Sequence, residues 1–159
     1  MSPKNLGFLS TRLAGTDGVS LETAKLTIIF DRLGHRSFYC AGELDVPPNG
    51  NLAPRVSSPT ATDTDPVPGT TPRVTASRLV PAMHFTHPDA VAIHDAMFGL
   101  CPPPPDLAAQ IITQAAALKE AIRRFVEDFQ IHLLIVQNAL AIPMHIPLGL
   151  ALTDFIAET

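Results

Sequence analysis

Cysteine is scarce in this chain of 159 residues, with only Cys40 and Cys101 present. Two thiols cannot build a disulfide framework, so a reducing, cytoplasmic setting is expected. Charge is scarce too. Lysine and arginine number 11 against 15 acids, a formal −4, and no basic cluster occurs. That balance argues against nucleic acid and against an anionic membrane surface as partners.

Long uninterrupted apolar runs are also missing. Asn5, Ser10 and Arg12 break up the first apolar residues, so no signal peptide is expected. Ile131 to Leu152 is greasy, but it carries His132, Gln137, Asn138 and His145 together with Pro143 and Pro147. Those groups are expensive in hydrocarbon, and the stretch reads as a buried strand, a loop and a helix rather than a membrane span. Two phosphate-binding fingerprints are absent as well. Without GxGxxG a dinucleotide fold of the usual kind is disfavoured, and without GxxxxGK[ST] there is no P-loop.

What is present is alternation. Nearly half the residues are apolar (46%), enough for one domain or one part of a larger architecture. Leu6 to Ser10 suits a buried parallel strand. Val19, Leu21, Ala24, Ile28, Ile29 and Leu33 then recur at helical spacing, and Gly34 provides a left-handed stop. Ser37 to Ala41 reads as a second strand, which completes a unit of the size of a βαβ crossover.

Pro47 to Ser77 is rich in Pro, Ser and Thr and poor in large apolar groups, so a loosely held insertion is expected there. Leu79 to Phe85 reads as a short third strand, and Ala90 to Phe98 as a helix ended by Gly99. After the rigid spacer Pro102 to Pro105, Asp106 is placed to cap a long helix. Its stripe is Leu107, Ile111, Leu118, Ile122, Phe125 and Phe129. Leu133 to Val136 is a further strand and Pro147 to Ala157 a final helix. Strands alternating with helices predict an α/β fold, a Rossmann-like, mainly parallel sheet with flanking helices, over a single domain 1–159.

Ligands of such sheets gather at the carboxyl ends of strands, beside helix N-termini. The turn Gly15-Thr16-Asp17-Gly18 falls there. Gly18 is expected to take a positive φ, and the amides of Val19 and Ser20 to favour an anion such as a diphosphate. Asp17 repels phosphate at short range; it suits sugar hydroxyls or a helix cap. A tight connection with an Asp cap is the structural alternative for the whole turn.

Gly15-Thr16-Asp17-Gly18-Val19-Ser20-Leu21-Glu22, followed by Leu33-Gly34-His35, resembles the N-terminal domain of GT-B glycosyltransferases, in particular the family-four type. Gln137-Asn138-Ala139-Leu140-Ala141-Ile142-Pro143-Met144-His145-Ile146-Pro147-Leu148-Gly149 resembles a strand-end segment of a bacterial subgroup, which has Glu where Gln137 stands and Asn where His145 stands. The resemblance implies transfer of a sugar from a nucleotide-sugar to an acceptor in a cleft between two domains. It implies that this chain is an incomplete, acceptor-side first domain, truncated and inactive alone, with a partner chain supplying the C-terminal domain. The substrate-binding candidates are Gly15, Thr16, Asp17, Gly18, Val19, Ser20 and Asn138; no catalytic residue, cofactor or metal is assigned. A non-catalytic sugar- or partner-binding α/β module is the alternative, and a partner-dependent half with an exposed sheet edge is a third.

Four further features stay open on the sequence. His84, His87 and His94 with Asp89 and Asp95 invite a metal, but surface or capping roles are favoured. Glu43 and Asp45 read as a solvated loop, or as acceptor contacts. Asn138 reads equally as a ligand for a hydroxyl and as a satisfier of loop backbone. His35 is expected to be structural, at the end of the sheet away from the cleft.

Overall fold

In the computed structural model, which describes residues 2–45, 72–140 and 143–159, the strands are Asn5–Ser10 (β1), Arg36–Ala41 (β2), Val74–Leu79 (β3) and Leu133–Gln137 (β4). They form one parallel sheet in the order β3-β2-β1-β4. The helices are Gly18–Arg32 (α1), Pro88–Phe98 (α2), Leu107–Asp128 (α3) and Ile146–Glu158 (α4). The α/β, Rossmann-like expectation is met.

β1 is central, and every one of its residues is buried. Because successive side chains point to opposite faces, β1 and β2 feed two separate cores. Leu9, Phe38 and Cys40 meet Leu118, Ile122 and Phe125 of α3 and Leu148, Leu152 and Phe155 of α4. Leu6, Phe8, Tyr39 and Ala41 meet Val19, Leu26 and Phe30 of α1. Each large member of these clusters contributes about 1.5–3 kcal/mol relative to exposure.

α1 departs from its apolar reading. Leu21, Ile29 and Leu33 lie outside, while Thr23 and Thr27 are buried toward the sheet. Thr27 Oγ1 and Tyr39 Oη share a hydrogen bond of 2.8 Å, so the polar inner face is partly satisfied. The glycine stop is as expected: Gly34 has φ 81°, its N–H donates to Asp31 O, and His35 N–H donates to Phe30 O.

Two expectations are corrected. The third strand is Val74–Leu79, not Leu79 to Phe85, which instead holds a 3-10 turn at Pro81–Met83. Consequently Val74 to Ser77, the tail of the expected insertion, is strand; residues 47–71 of that insertion lie outside the described residues. Asp106 occupies the N-cap of α3 but makes no capping bond, its carboxylate accepting from Gln110 Nε2 at 2.9 Å. Of the α3 stripe, Leu107, Leu118, Ile122 and Phe125 are buried, while Ile111 and Phe129 are half-buried.

Candidate functional site

The chain leaves β1 toward β2 and β3, then crosses back to β4 on the other side of β1. The strand order therefore reverses between β1 and β4, and a crevice opens at such a point beyond the carboxyl ends. A cleft of about 470 Å³ lies there. Ser10, Thr11 and Arg12 line it from the end of β1; Asp17, Gly18 and Val19 from the start of α1; Asn138 and Ala139 from the end of β4. Phe85, Met144 and His145 close it. A shallower depression of about 310 Å³ on α3, around Asp106, Gln110 and Thr113, touches no strand end.

The loop from β1 to α1 is braced from β2. Leu13 N–H donates to Glu43 O at 2.9 Å, Leu13 and Leu44 form an isolated bridge, and Gly15 N–H donates to the Asp45 carboxylate. Arg12 lies 2.9 Å from Glu43 and 3.8 Å from Asp17, and Glu43 also lies 3.1 Å from His84 Nε2. The Arg12 Nε and His84 Nε2 atoms are buried and make no hydrogen bond, so the Arg12–Glu43 pair acts through attraction of charge rather than directed bonding. Glu43 and Asp45 are exposed, as a solvated loop requires, and do not line the cleft; from that surface position they hold the loop.

Asp17 is the N-cap of α1, accepting from Ser20 N at 2.9 Å and from Ser20 Oγ at 3.1 Å. This corrects the expected anion site: the Ser20 amide is already taken by a carboxylate. The amides of Gly18 and Val19, which no intrahelical carbonyl can reach, belong to residues that line the cleft. A second correction concerns the turn. Gly15, with φ 75°, is the residue in the left-handed region, and Gly18 is an ordinary first helical residue. Of the sequence candidates, Asp17, Gly18, Val19 and Asn138 line the cleft together; Gly15, Thr16 and Ser20 stand behind them.

Asn138 has φ 59°, a conformation that Asn tolerates better than most residues, and Ala139 N–H donates to Gln137 O at 2.8 Å across it. Its side chain is exposed and bonds to no other described residue. His145 is buried at the N-cap of α4. Its Nδ1 accepts from Leu148 N at 3.3 Å, which puts the proton on Nε2, 2.7 Å from Ala82 O. Burial pushes its pKa below the usual histidine value, and the nearby His87 and His84 act in the same direction.

Sequence reasoning missed Phe85, Thr11, Arg12 and Met144. No local pattern in the sequence signals Phe85: it reaches the cleft because its segment packs directly on the chain leaving β2, where a Cβ at Gly42 would sit 2.1 Å from His84 N. The other histidines pair off rather than converge. His87 caps α2 beside Asp89, His94 lies 3.5 Å from Asp95, and His35 Nδ1 accepts from Lys4 N at the far end of the sheet. Among the described residues no group of three or more His, Cys, Asp or Glu side chains could hold a metal ion. No described helix is long and apolar enough to cross a membrane. Comparisons with protein-family models, curated proteins and solved structures find no match to this chain.

Proposed function

We propose that this chain is the acceptor-side portion of a glycosyltransferase that uses a nucleotide-sugar donor, and that the cleft between β1 and β4 receives a hydroxyl-bearing ring. The observation that carries this reading is the meeting of Asp17 and Asn138 in one cleft at the strand-order reversal. A carboxylate and a primary amide, fixed at the ends of rigid elements, suit the donor and acceptor sites of neighbouring hydroxyls. The occupied Ser20 amide and the Asp17 charge favour such a neutral ring over a diphosphate. In the transfer, the acceptor oxygen bonds to the anomeric carbon while that carbon's bond to the nucleotide diphosphate breaks with its electron pair. The acceptor proton passes to a base, and the departing charge is held by a second domain or partner chain.

A second reading has its own support. Asp17 is engaged as a cap and both nitrogens of His145 are bonded, so neither acid nor imidazole stands free in the cleft as a base. That favours a sugar-binding module without catalysis. Titrating the full chain with methyl hexopyranosides and with uridine-diphosphate hexoses, followed by protein NMR, tests both. Saturable sugar binding, weakened about tenfold or more in Asp17→Asn and Asn138→Ala, is expected from the loss of one strong hydrogen bond. Consumption of a nucleotide-sugar in the presence of an acceptor separates enzyme from module. Absence of saturable binding to any sugar overturns both.

A further inference from the structure

We propose that Phe85 is a stacking platform for the ligand, taking the C–H face of a pyranose while Asp17 and Asn138 address its hydroxyls. The inference rests on the sugar-binding reading above and names the subsite within it. An aromatic face is electron-rich, and a hexopyranose offers it a patch of weakly positive C–H groups with the hydroxyls turned to the ring's edge. A site for such a molecule therefore needs one aromatic wall and one polar wall, and this cleft has both.

The ring is held before any ligand arrives. The imidazole of His84 stacks on Phe85 with centroids 4.5 Å apart and planes at 24°, and the half-buried Phe85 borders the cleft. His84 is itself held: its Nδ1 accepts from Thr86 N at 3.2 Å, and its Nε2 lies 3.1 Å from Glu43. The segment is pinned on both sides. Val80 N–H donates to Ala41 O at 2.9 Å, Met83 is fully buried, and Ala82 O accepts from His145. An aromatic side chain fixed from behind loses little freedom on binding, which is what makes stacking effective.

The chain contains no tryptophan, so Phe85→Trp places its single indole at the proposed platform. Methyl hexopyranosides should change its emission with saturation, at an affinity close to that of the parent measured by NMR. Phe85→Leu, which keeps apolar bulk without the ring, and Phe85→Ala should each weaken sugar binding by about tenfold. Far-UV circular dichroism checks that each variant is folded. If the parent binds sugars and Phe85→Leu and Phe85→Ala bind within twofold of it, the platform is refuted while the sugar-binding reading stands. If no form of the chain binds any sugar, both fall. If uridine shifts the indole emission of the Phe85→Trp variant and hexopyranosides do not, the platform holds a nucleobase and the pyranose assignment is overturned.

Discussion

A methyl group added at position 42 would lie 2.1 Å from the backbone nitrogen of His84 and 2.5 Å from its Cα. No real Cβ tolerates such contacts with backbone, so Gly42→Ala must displace the segment that carries His84 and Phe85. A loss of about 1–3 kcal/mol in stability by urea titration is expected, of the size of other overpacked sites. The two glycines of the first turn should behave oppositely. Gly15→Ala forces a side chain into the left-handed region and should cost about 1–2 kcal/mol. Gly18→Ala enters open space at a helical residue, and its urea midpoint should match the parent's or exceed it by up to about 1 kcal/mol. The sequence marks the turn but not which glycine bends it. That choice depends on Asp45, distant in the chain, whose carboxylate takes the Gly15 N–H. Thiol chemistry follows the same logic of placement. Burial pushes Cys40 up to about 12, whereas Cys101 is exposed, so the native protein should react with one equivalent of a thiol reagent and with two after unfolding.

Among the elements, α3 and α4 seal one face of the sheet with a seam of Leu118, Ile122, Phe125, Leu148, Leu152 and Phe155, rimmed by ion pairs such as Lys119–Glu158 and Arg123–Glu158. Leu118→Ala should leave a cavity there and lower stability by about 2–5 kcal/mol, read from the urea midpoint. The exposed ion pairs at the rim should add little. α4 also carries a pH dependence. The folded pKa of His145 is depressed, so the unfolded chain takes up its proton first as the solution is acidified. The stability that its neutral form supports is therefore present above about pH 6.5, the unpartnered value, and declines as the pH falls from there toward the depressed folded value. His145→Asn keeps a capping side chain without a titrating group, and the difference between the two proteins' stability–pH curves over that window should show the lost slope. Helices with long apolar stripes were legible in the sequence because the stripe itself drives their packing. β3 was not. Arg78 makes it look polar, yet that side chain lies over the Phe129 ring at 5.5 Å and pairs with Asp128, contacts that only the folded sheet supplies.

At the scale of the whole molecule, the parallel sheet and its strand order set where the cleft opens. The alternation of strands and helices was visible from the sequence, as were Asp17, Gly18, Val19 and Asn138 as neighbours of the cleft. The opposite wall was not. Phe85 and His145 come to it through packing of the segment after β3 on Gly42 and Ala41, and no local pattern announces such a meeting. The two edges of the sheet differ in character. β3 carries Arg78 and pairs irregularly with β2 near Ser37 and Phe38, features that discourage further strand addition. β4, Leu-Leu-Ile-Val-Gln, carries no charge, and no Asp, Glu, Lys or Arg occurs between Asp128 and Asp154.

Among the described residues nothing pairs with the outer side of β4, and Leu133 there is 54% exposed. A neutral border of this kind offers its own copy no repulsion. Concentrated solutions should therefore sediment faster than dilute ones as two sheets zip edge to edge, and Leu133→Lys should return them to the monomer's rate. The quiet rim of the sheet thus sets how crowded a solution this protein can tolerate.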